Sequence, residues 1–488
     1  MLLSPLRRAG LAVLLGCLAW PAATRARRVE FTEYDLPNGL HVILSPDHTV
    51  PVVSSYVLYH VGSKNERFDR TGFAHFFEHL MFEGSENIPR GQLDKLVTGA
   101  GGSLNASTSF DRTDFFLNLP ANHLGLALWV ESERMLHAKI EDIGVETQRS
   151  VVKEERRRSY DNQPYGSLFE ELAKLVYAGS PYAWVPIGSV QYIDKASLDE
   201  FRDFYHTFYR PNNAVLALAG DFDPDEAKKQ IEQYFGPIPR GAEPPRPKIT
   251  LADLDKTRPG KPMEVISEFP VGDPAKPGNN AEYTLYGQRG VTREIEKQNT
   301  PLPASMHAWL APKENDPDAR ALELLTNILA NGRSSRLYRR LVDGEQVALQ
   351  STAFPYFLED GGMVGIFSVG VKGTTLERLD ALMEEEVAKV RQDGVTEEEF
   401  QKARNQKESE VASSYAANLA RARGLADFHV FYGNTDAINH ELDLYLTITR
   451  EDLKRVANKY LPDDRRNILH YPVPVKAADP APKAGTAQ

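Results

Sequence analysis

The chain carries one structural plan twice, and nothing else in the sequence restricts its fold as much. Leu198 to Phe208 has Leu198, Phe201, Phe204, Tyr205 and Phe208 on one helical face, and Arg210-Pro211-Asn212-Asn213 then leads into an apolar strand, Ala214 to Ala219. Thr449 to Tyr460, Leu461-Pro462-Asp463-Asp464 and Asn467 to Tyr471 repeat that succession, with one residue of slippage, at a shift of about 250 residues. At the same shift Val145-Glu146-Thr147 meets Val395-Thr396-Glu397, and both open long polar helical stretches. The period is far too long for a solenoid. It predicts two copies of one α/β unit of about 200 residues.

A run containing Pro237, Pro239, Pro244, Pro245, Pro247, Pro259 and Pro262 separates the copies and reads as a linker. The expected division is a first unit at 27–236, a linker at 237–262 and a second unit at 263–472. Gly272 to Thr300, polar and Gly-containing, is placed as an insertion near the start of the second unit. The Ala/Pro/Lys-rich tail 473–488 is expected to be disordered. Within the first unit, Val29 to Val61 reads as strand, turn and strand around Pro37-Asn38-Gly39. Gly72 to Gly84 then has helical spacing, and Leu104 to Leu119 alternates as a strand does.

Of 488 residues, 41% are hydrophobic and 26% charged, a balance that folds rather than stays disordered. The net charge of -11, with no basic surplus in the core of the chain, argues against a nucleic-acid partner. At the N-terminus, Arg7 and Arg8 precede an apolar run from Ala9 to Trp20, followed by Ala22 and Ala23. This reads as an export signal over residues 1–26, and the run is too short to span a bilayer comfortably. Its Cys17 is the single cysteine of the chain. The simpler reading is that Cys17 leaves with the signal. Leu14-Leu15-Gly16-Cys17 also resembles a bacterial lipoprotein box, which would make it a lipid anchor. Either way the mature fold has no disulfide.

The chemistry centres on Gly72-Phe73-Ala74-His75-Phe76-Phe77-Glu78-His79-Leu80. On a helix, His75 and His79 project from one face. Two imidazoles one turn apart suit tetrahedral zinc, and Glu78 beside them can take a proton from a metal-bound water. The order H-x-x-E-H is the inverted form of a zinc-peptidase signature. Five residues with three specified recur by chance, but here the flanks are Phe73, Phe76, Phe77, Leu80, Met81 and Phe82. Burying two imidazoles and a carboxylate among them is costly without partners, and a metal removes that cost. A third ligand is sought in Val151-Val152-Lys153-Glu154-Glu155-Arg156-Arg157-Arg158. Physical reasoning alone leaves Glu154 and Glu155 open, along with the plainer reading of a solvated charged face.

The motif, the second helix and the duplication together resemble the family of pitrilysin, insulin-degrading enzyme and mitochondrial processing peptidase, over nearly the whole mature chain. Gln163-Pro164-Tyr165-Gly166 is similar to its bacterial members. The resemblance implies an α+β fold of two homologous domains, each an antiparallel-rich sheet packed with helices, arranged as two halves around a cavity. It selects Glu155, 76 residues beyond His79 (155 − 79), as third ligand of one zinc ion per chain, with Glu78 as the catalytic base. The family usually has an acidic residue seven places before that ligand. Gln148 stands there and puts the supporting role in question.

Gly101 to Thr108 resembles the family's active-site edge strand, which binds an extended peptide by adding it to the sheet. Asn105 and Ala106 are the candidate substrate-binding residues, against the reading of Asn105 as an ordinary strand or turn residue. The second copy lacks the metal set: Ala321 to Ala330 has no histidine, and Asn405 stands opposite Glu155. An Arg/Tyr pair expected there falls on Val342 and Leu349 and is absent. The resemblance therefore implies peptide substrates and a homologous partner subunit that supplies the pair, or else a homodimer. With the export signal it places the chain in the periplasm of a Gram-negative bacterium. The competing expectation is a non-catalytic scaffold or peptide-binding subunit of the same fold.

Overall fold

The computed structural model describes residues 28–178, 180–249, 282–283, 292–295 and 300–473. The export segment with Cys17, the linker beyond residue 249, most of 272–300 and nearly all of the tail lie outside the described residues.

Six strands form the first sheet: β1 (Thr32–Asp35), β2 (His41–Pro46), β3 (Val52–Tyr59), β4 (Ser103–Thr108), β5 (Thr113–Pro120) and β6 (Ala214–Gly220). Their spatial order is β1-β2-β6-β3-β5-β4, antiparallel throughout except for the parallel pair β2 and β6. Two short strands, β7 (Lys248–Ile249) and β8 (Glu282–Tyr283), pair with each other. The second sheet contains β9 (Thr292–Glu294), β10 (Ala304–Ala311), β11 (Ala348–Phe357), β12 (Gly362–Gly370) and β13 (Asn467–Tyr471). Its order is β9-β13-β10-β12-β11, again with one parallel pair, β13 and β9. Read against chain order, this is the arrangement β2-β6-β3-β5-β4 once more. The chain is thus α+β, built from two units with one topology.

The helices repeat as well. Phe73–Leu80 follows β3 as Pro317–Ala330 follows β10, and Asp142–Arg156 is matched by Glu397–Ser414. The helix that leads into β6 and the helix that leads into β13 start with the same reciprocal cap. The Ser197 hydroxyl accepts the Glu200 N–H and the Glu200 carboxylate accepts the Ser197 N–H; Thr449 and Asp452 do the same. Each cap satisfies two donors that a helix start leaves without intrahelical partners.

Both faces of the first sheet are covered, which explains why β6 is apolar at every position and buried throughout. The front carries Phe73–Leu80 and Leu198–Phe208. The back is closed by a helix of the second unit, Asn418–Tyr432, whose Leu425, Ala426, Phe428 and Phe431 pack on Ile43, Tyr56, Leu58, Val215 and Ala217. The front core also continues into the second sheet through Met306, Met363 and Tyr471. Polar groups join the units too. Lys64, 3% exposed on the first unit, pairs with Asp111 Oδ1 (2.8 Å), with Glu359, and with Asp360 Oδ2 (3.1 Å) at the β11–β12 turn.

Candidate metal centre

The helix Phe73–Leu80 is short, and its position is set by packing. Phe73 and Phe76 stack on Phe201 with ring centroids 4.7 and 4.6 Å apart, and Phe77 stacks on Phe204 at 5.1 Å. Its first turn is held by Glu66, a buried carboxylate that accepts the N–H groups of Gly72 (2.9 Å) and Ala74 (2.8 Å) and the indole N–H of Trp184 (3.0 Å). Burial pushes the Glu66 carboxyl up to about 8 against the pull of those three donors. Gly72 precedes the helix at φ +100, and a Cβ on the facing Gly188 would come within 2.3 Å of the Gly72 backbone. Only glycine allows this contact. The Gly188 carbonyl in turn accepts from Arg156 (2.5 Å), whose other nitrogen pairs with Glu170, and so the end of helix Asp142–Arg156 is tied to the start of the His helix. Beyond Arg156 the chain widens into a π-helical turn, Arg157–Asp161.

The two helices bring His75, His79 and Glu155 together, with one ligand atom of each within 4.8 Å of the others. His79 Nε2 lies 3.2 Å from Glu155 Oε2, and His75 Nε2 lies 3.6 Å from Glu155 Oε1. The imidazoles stand nearly perpendicular, at 80° with centroids 4.8 Å apart. Glu154 points elsewhere, to Arg157 (2.6 and 2.8 Å). Burial and the neighbouring His79 push the His75 pKa down to about 4, which keeps that imidazole neutral, as metal ligation requires. Its proton has no good place among the described residues. On Nε2 it would be 3.6 Å from Glu155, and on Nδ1 it would be buried with no acceptor. A cation on Nε2 removes the first half of that conflict, so the donor set fits zinc.

Around this trio stand further polar residues. Gln148 Oε1 accepts the His79 Nδ1–H at 3.1 Å, and Gln148 Nε2 donates to Glu83 Oε1 at 2.5 Å. The amide thus occupies the position next to His79 that was in question. Glu83 is held by Arg90, which also donates to Thr147 (2.9 Å). Glu78 lies beside the two histidines in sequence and accepts from Thr108 Oγ1 on β4 at 2.7 Å. Burial raises the Glu78 carboxyl and the Thr108 bond opposes the rise. Thr108 was legible only as one more alternating residue of the strand.

Among the described residues, β4 is an edge of the first sheet. Leu104 and Ala106 lean on the front core, on the side where Thr108 meets Glu78. Alternation puts Asn105 and Ser107 on the other face. The Asn105 side chain is exposed, and its Oδ1 accepts the N–H of Ala106 at 2.9 Å. In the second unit Asn405 is exposed, Val342 packs at the margin of the core and Leu349 is 58% exposed.

A duplicated α+β chain with a His-Glu-His helix facing a carboxylate in its first copy alone is the plan of a two-domain M16 protein. Residues 41–184 match the family model of insulinase (peptidase family M16), and residues 195–407 match that of the peptidase M16 inactive domain. The zinc protease PqqE of Helicobacter pylori is 30% identical over 441 residues, covering 89% of this chain and 91% of that protein. The Bacillus subtilis protein YmxG, described as an uncharacterized zinc protease, is 22% identical over 439 residues, covering 90% of this chain and 98% of the relative. Among solved structures, a protease from H. pylori superposes with a TM-score of 0.79 at 26% identity, covering 91% of this chain and 99% of that one. The first half of the periplasmic protease PqqL of Escherichia coli superposes at 0.68 with 19% identity, covering 91% and 92%, and shares the fold. The chain belongs to the insulinase family, peptidase family M16. No described helix is long and apolar enough to cross a membrane.

Proposed function

We propose that the chain is a zinc-dependent endopeptidase acting on peptides or unfolded protein segments, with His75, His79 and Glu155 as ligands of one zinc ion and Glu78 as general base. The supporting observation is the convergence of the three ligand atoms from two helices, with Glu78 held from the edge strand by Thr108. Zinc, when bound there, supplies Lewis acidity toward a carbonyl oxygen and lowers the pKa of water. The rest of the reading concerns the chain itself. β4, an edge strand among the described residues, offers its margin to an extended segment, and Asn105 leaves the Ala106 N–H so that this N–H donates to the segment's carbonyl. Glu78, kept from free rotation by Thr108, accepts a proton from the attacking water and delivers it to the leaving amine. Burial raises the Glu78 carboxyl above its ordinary range, the direction that suits a group that must both take and give a proton.

The partner belongs to the same proposal. The family's Arg/Tyr pair falls here on Val342 and Leu349, neither of which can donate to an oxyanion. A homologous chain without the zinc motif would supply both donors. The export signal and the E. coli relative described as periplasmic support a periplasmic location. The test is hydrolysis of a quenched fluorogenic peptide, with and without chelator and with and without a co-expressed M16 neighbour. Chelator-sensitive turnover that rises with the neighbour is expected. Full activity of the purified chain alone refutes the partner, and turnover that survives complete zinc removal refutes the metal reading.

A further inference from the structure

On the far side of the first sheet a second set of metal-ligating side chains meets. Glu33 on β1, His41 on β2 and His429 on the back helix Asn418–Tyr432 place one ligand atom each within 4.8 Å of the others. His41 Nε2 is 3.3 Å from Glu33 Oε2, and His429 Nδ1 is 4.0 Å from the same oxygen. His41 is mostly buried, with 13% of its side chain exposed, against 33% for His429 and 40% for Glu33.

The hydrogen inventory of this cluster is short. Asp35 Oδ1 lies 2.8 Å from His41 Nδ1 and accepts its N–H. With Nδ1–H given to Asp35, Nε2 is the His41 atom turned toward Glu33, and in the neutral ring its lone pair and the carboxylate oxygen are two electron-pair donors that a cation can bridge. Thr435 donates its one hydroxyl proton to Glu33 Oε2 at 2.5 Å, so toward His429 Nδ1, 3.2 Å away, it can only accept. The two imidazoles are stacked, with centroids 3.5 Å apart and planes at 15°.

We propose that Glu33, His41 and His429 form a second site for a divalent transition ion of the zinc class, with Asp35 as the outer carboxylate that orients His41. A carboxylate on the remote nitrogen of a ligating histidine is the usual support of such sites, and two imidazoles with one carboxylate are a zinc-type donor set. Stacked rings send their lone pairs in nearly parallel directions. Loading therefore turns the more exposed His429 about its Cβ–Cγ bond and away from Thr435. The two strands belong to the first unit and the helix to the second. An ion here is a structural clasp between the units, separate from the centre at His75.

Metal counting by plasma mass spectrometry, after dialysis against micromolar free zinc, tests this on the full mature chain. Wild type is expected to hold two zinc ions per chain, Glu155→Ala one, Glu33→Gln one, and the double variant none. His429→Leu is a second variant, expected to behave as Glu33→Gln does. In the Glu155→Ala background, cobalt(II) is expected to give visible ligand-field bands that Glu33→Gln abolishes, and zinc to raise Tm only while Glu33 is present. Equal zinc content in wild type, Glu33→Gln and His429→Leu overturns the clasp. So does a Glu155→Ala protein with no zinc and no cobalt bands. If Glu33→Gln lowers the count by one while Glu155→Ala leaves it unchanged, the clasp stands and the ligand set at His75 falls.

Discussion

Replacing Gln148 with Leu isolates the support of the proposed metal helix. His79 relies on Gln148 Oε1 for its Nδ1–H, whereas His75 Nδ1 has no partner among the described residues. Orientation of the ligand pair is therefore concentrated in one amide. Leucine keeps most of the volume and removes the acceptor, so His79 loses its preference for the tautomer with a free Nε2. Removing such outer partners costs roughly 10- to 100-fold in metal affinity. A neutral amide accepting at 3.1 Å is weaker than a carboxylate, which places this case near the lower bound. The expected loss is about tenfold, or about 1.4 kcal/mol. Competition against a chromophoric zinc chelator at constant pH measures it, constant because protons compete for the same nitrogens. An affinity within twofold of wild type would show that the amide bond orients nothing, and the account of this helix would be wrong.

Other expected outcomes follow from the same geometry. Glu78→Gln should keep zinc by mass spectrometry and lose about 10²- to 10⁴-fold in peptide turnover; near-normal turnover excludes Glu78 as base. Lys64→Met removes the cation shared by Asp111, Glu359 and Asp360 and should destabilise by about 3–5 kcal/mol in denaturant unfolding, with Asp111→Asn in the same chain restoring part of the loss. Burial raises the Glu399 carboxyl, but the Arg336 guanidinium and the Thr396 N–H outweigh it and hold the group at about 2. Its folded pKa is below the ordinary value of 4.5, so its contribution is complete above that pH and is lost as pH falls from there toward 2. Tm of Arg336→Gln followed over that window should fall less steeply than wild type, and parallel curves would refute the assignment.

Much of the fold was legible because it is written twice. The capped helix and apolar strand at Leu198 to Ala219 recur at Arg450 to Tyr471 with the elements where periodicity placed them. The turn at Pro37-Asn38-Gly39 lies between β1 and β2 as expected. The helix Asn418–Tyr432 was not legible. Its sequence mixes Arg421, Arg423 and Asp427 with apolar residues on every side, because it lies between two surfaces and has no single wet face. At the site, His75, Glu78 and His79 stand out because a short helix fixes their relation. Glu155 required the resemblance, since only the fold decides which of two adjacent carboxylates turns inward. Thr108 and Glu66 could not be read from spacing, because each acts across a sequence gap that only packing closes, whereas the position of Gln148 came from the resemblance and only its bond to His79 awaited the fold.

The carboxamide of Asn105 resting on the Ala106 amide has a further meaning for what the edge strand can recruit. A sheet margin that already satisfies its own donor is shielded from casual pairing with other chains. On the proposed docking, an incoming segment has to displace that internal contact, so it is selected by the quality of its own main chain before any side chain is read. Methylation of a single backbone nitrogen, or a proline in that register, removes a donor on which such docking depends. A scan of N-methylated peptides would therefore map the docking register residue by residue.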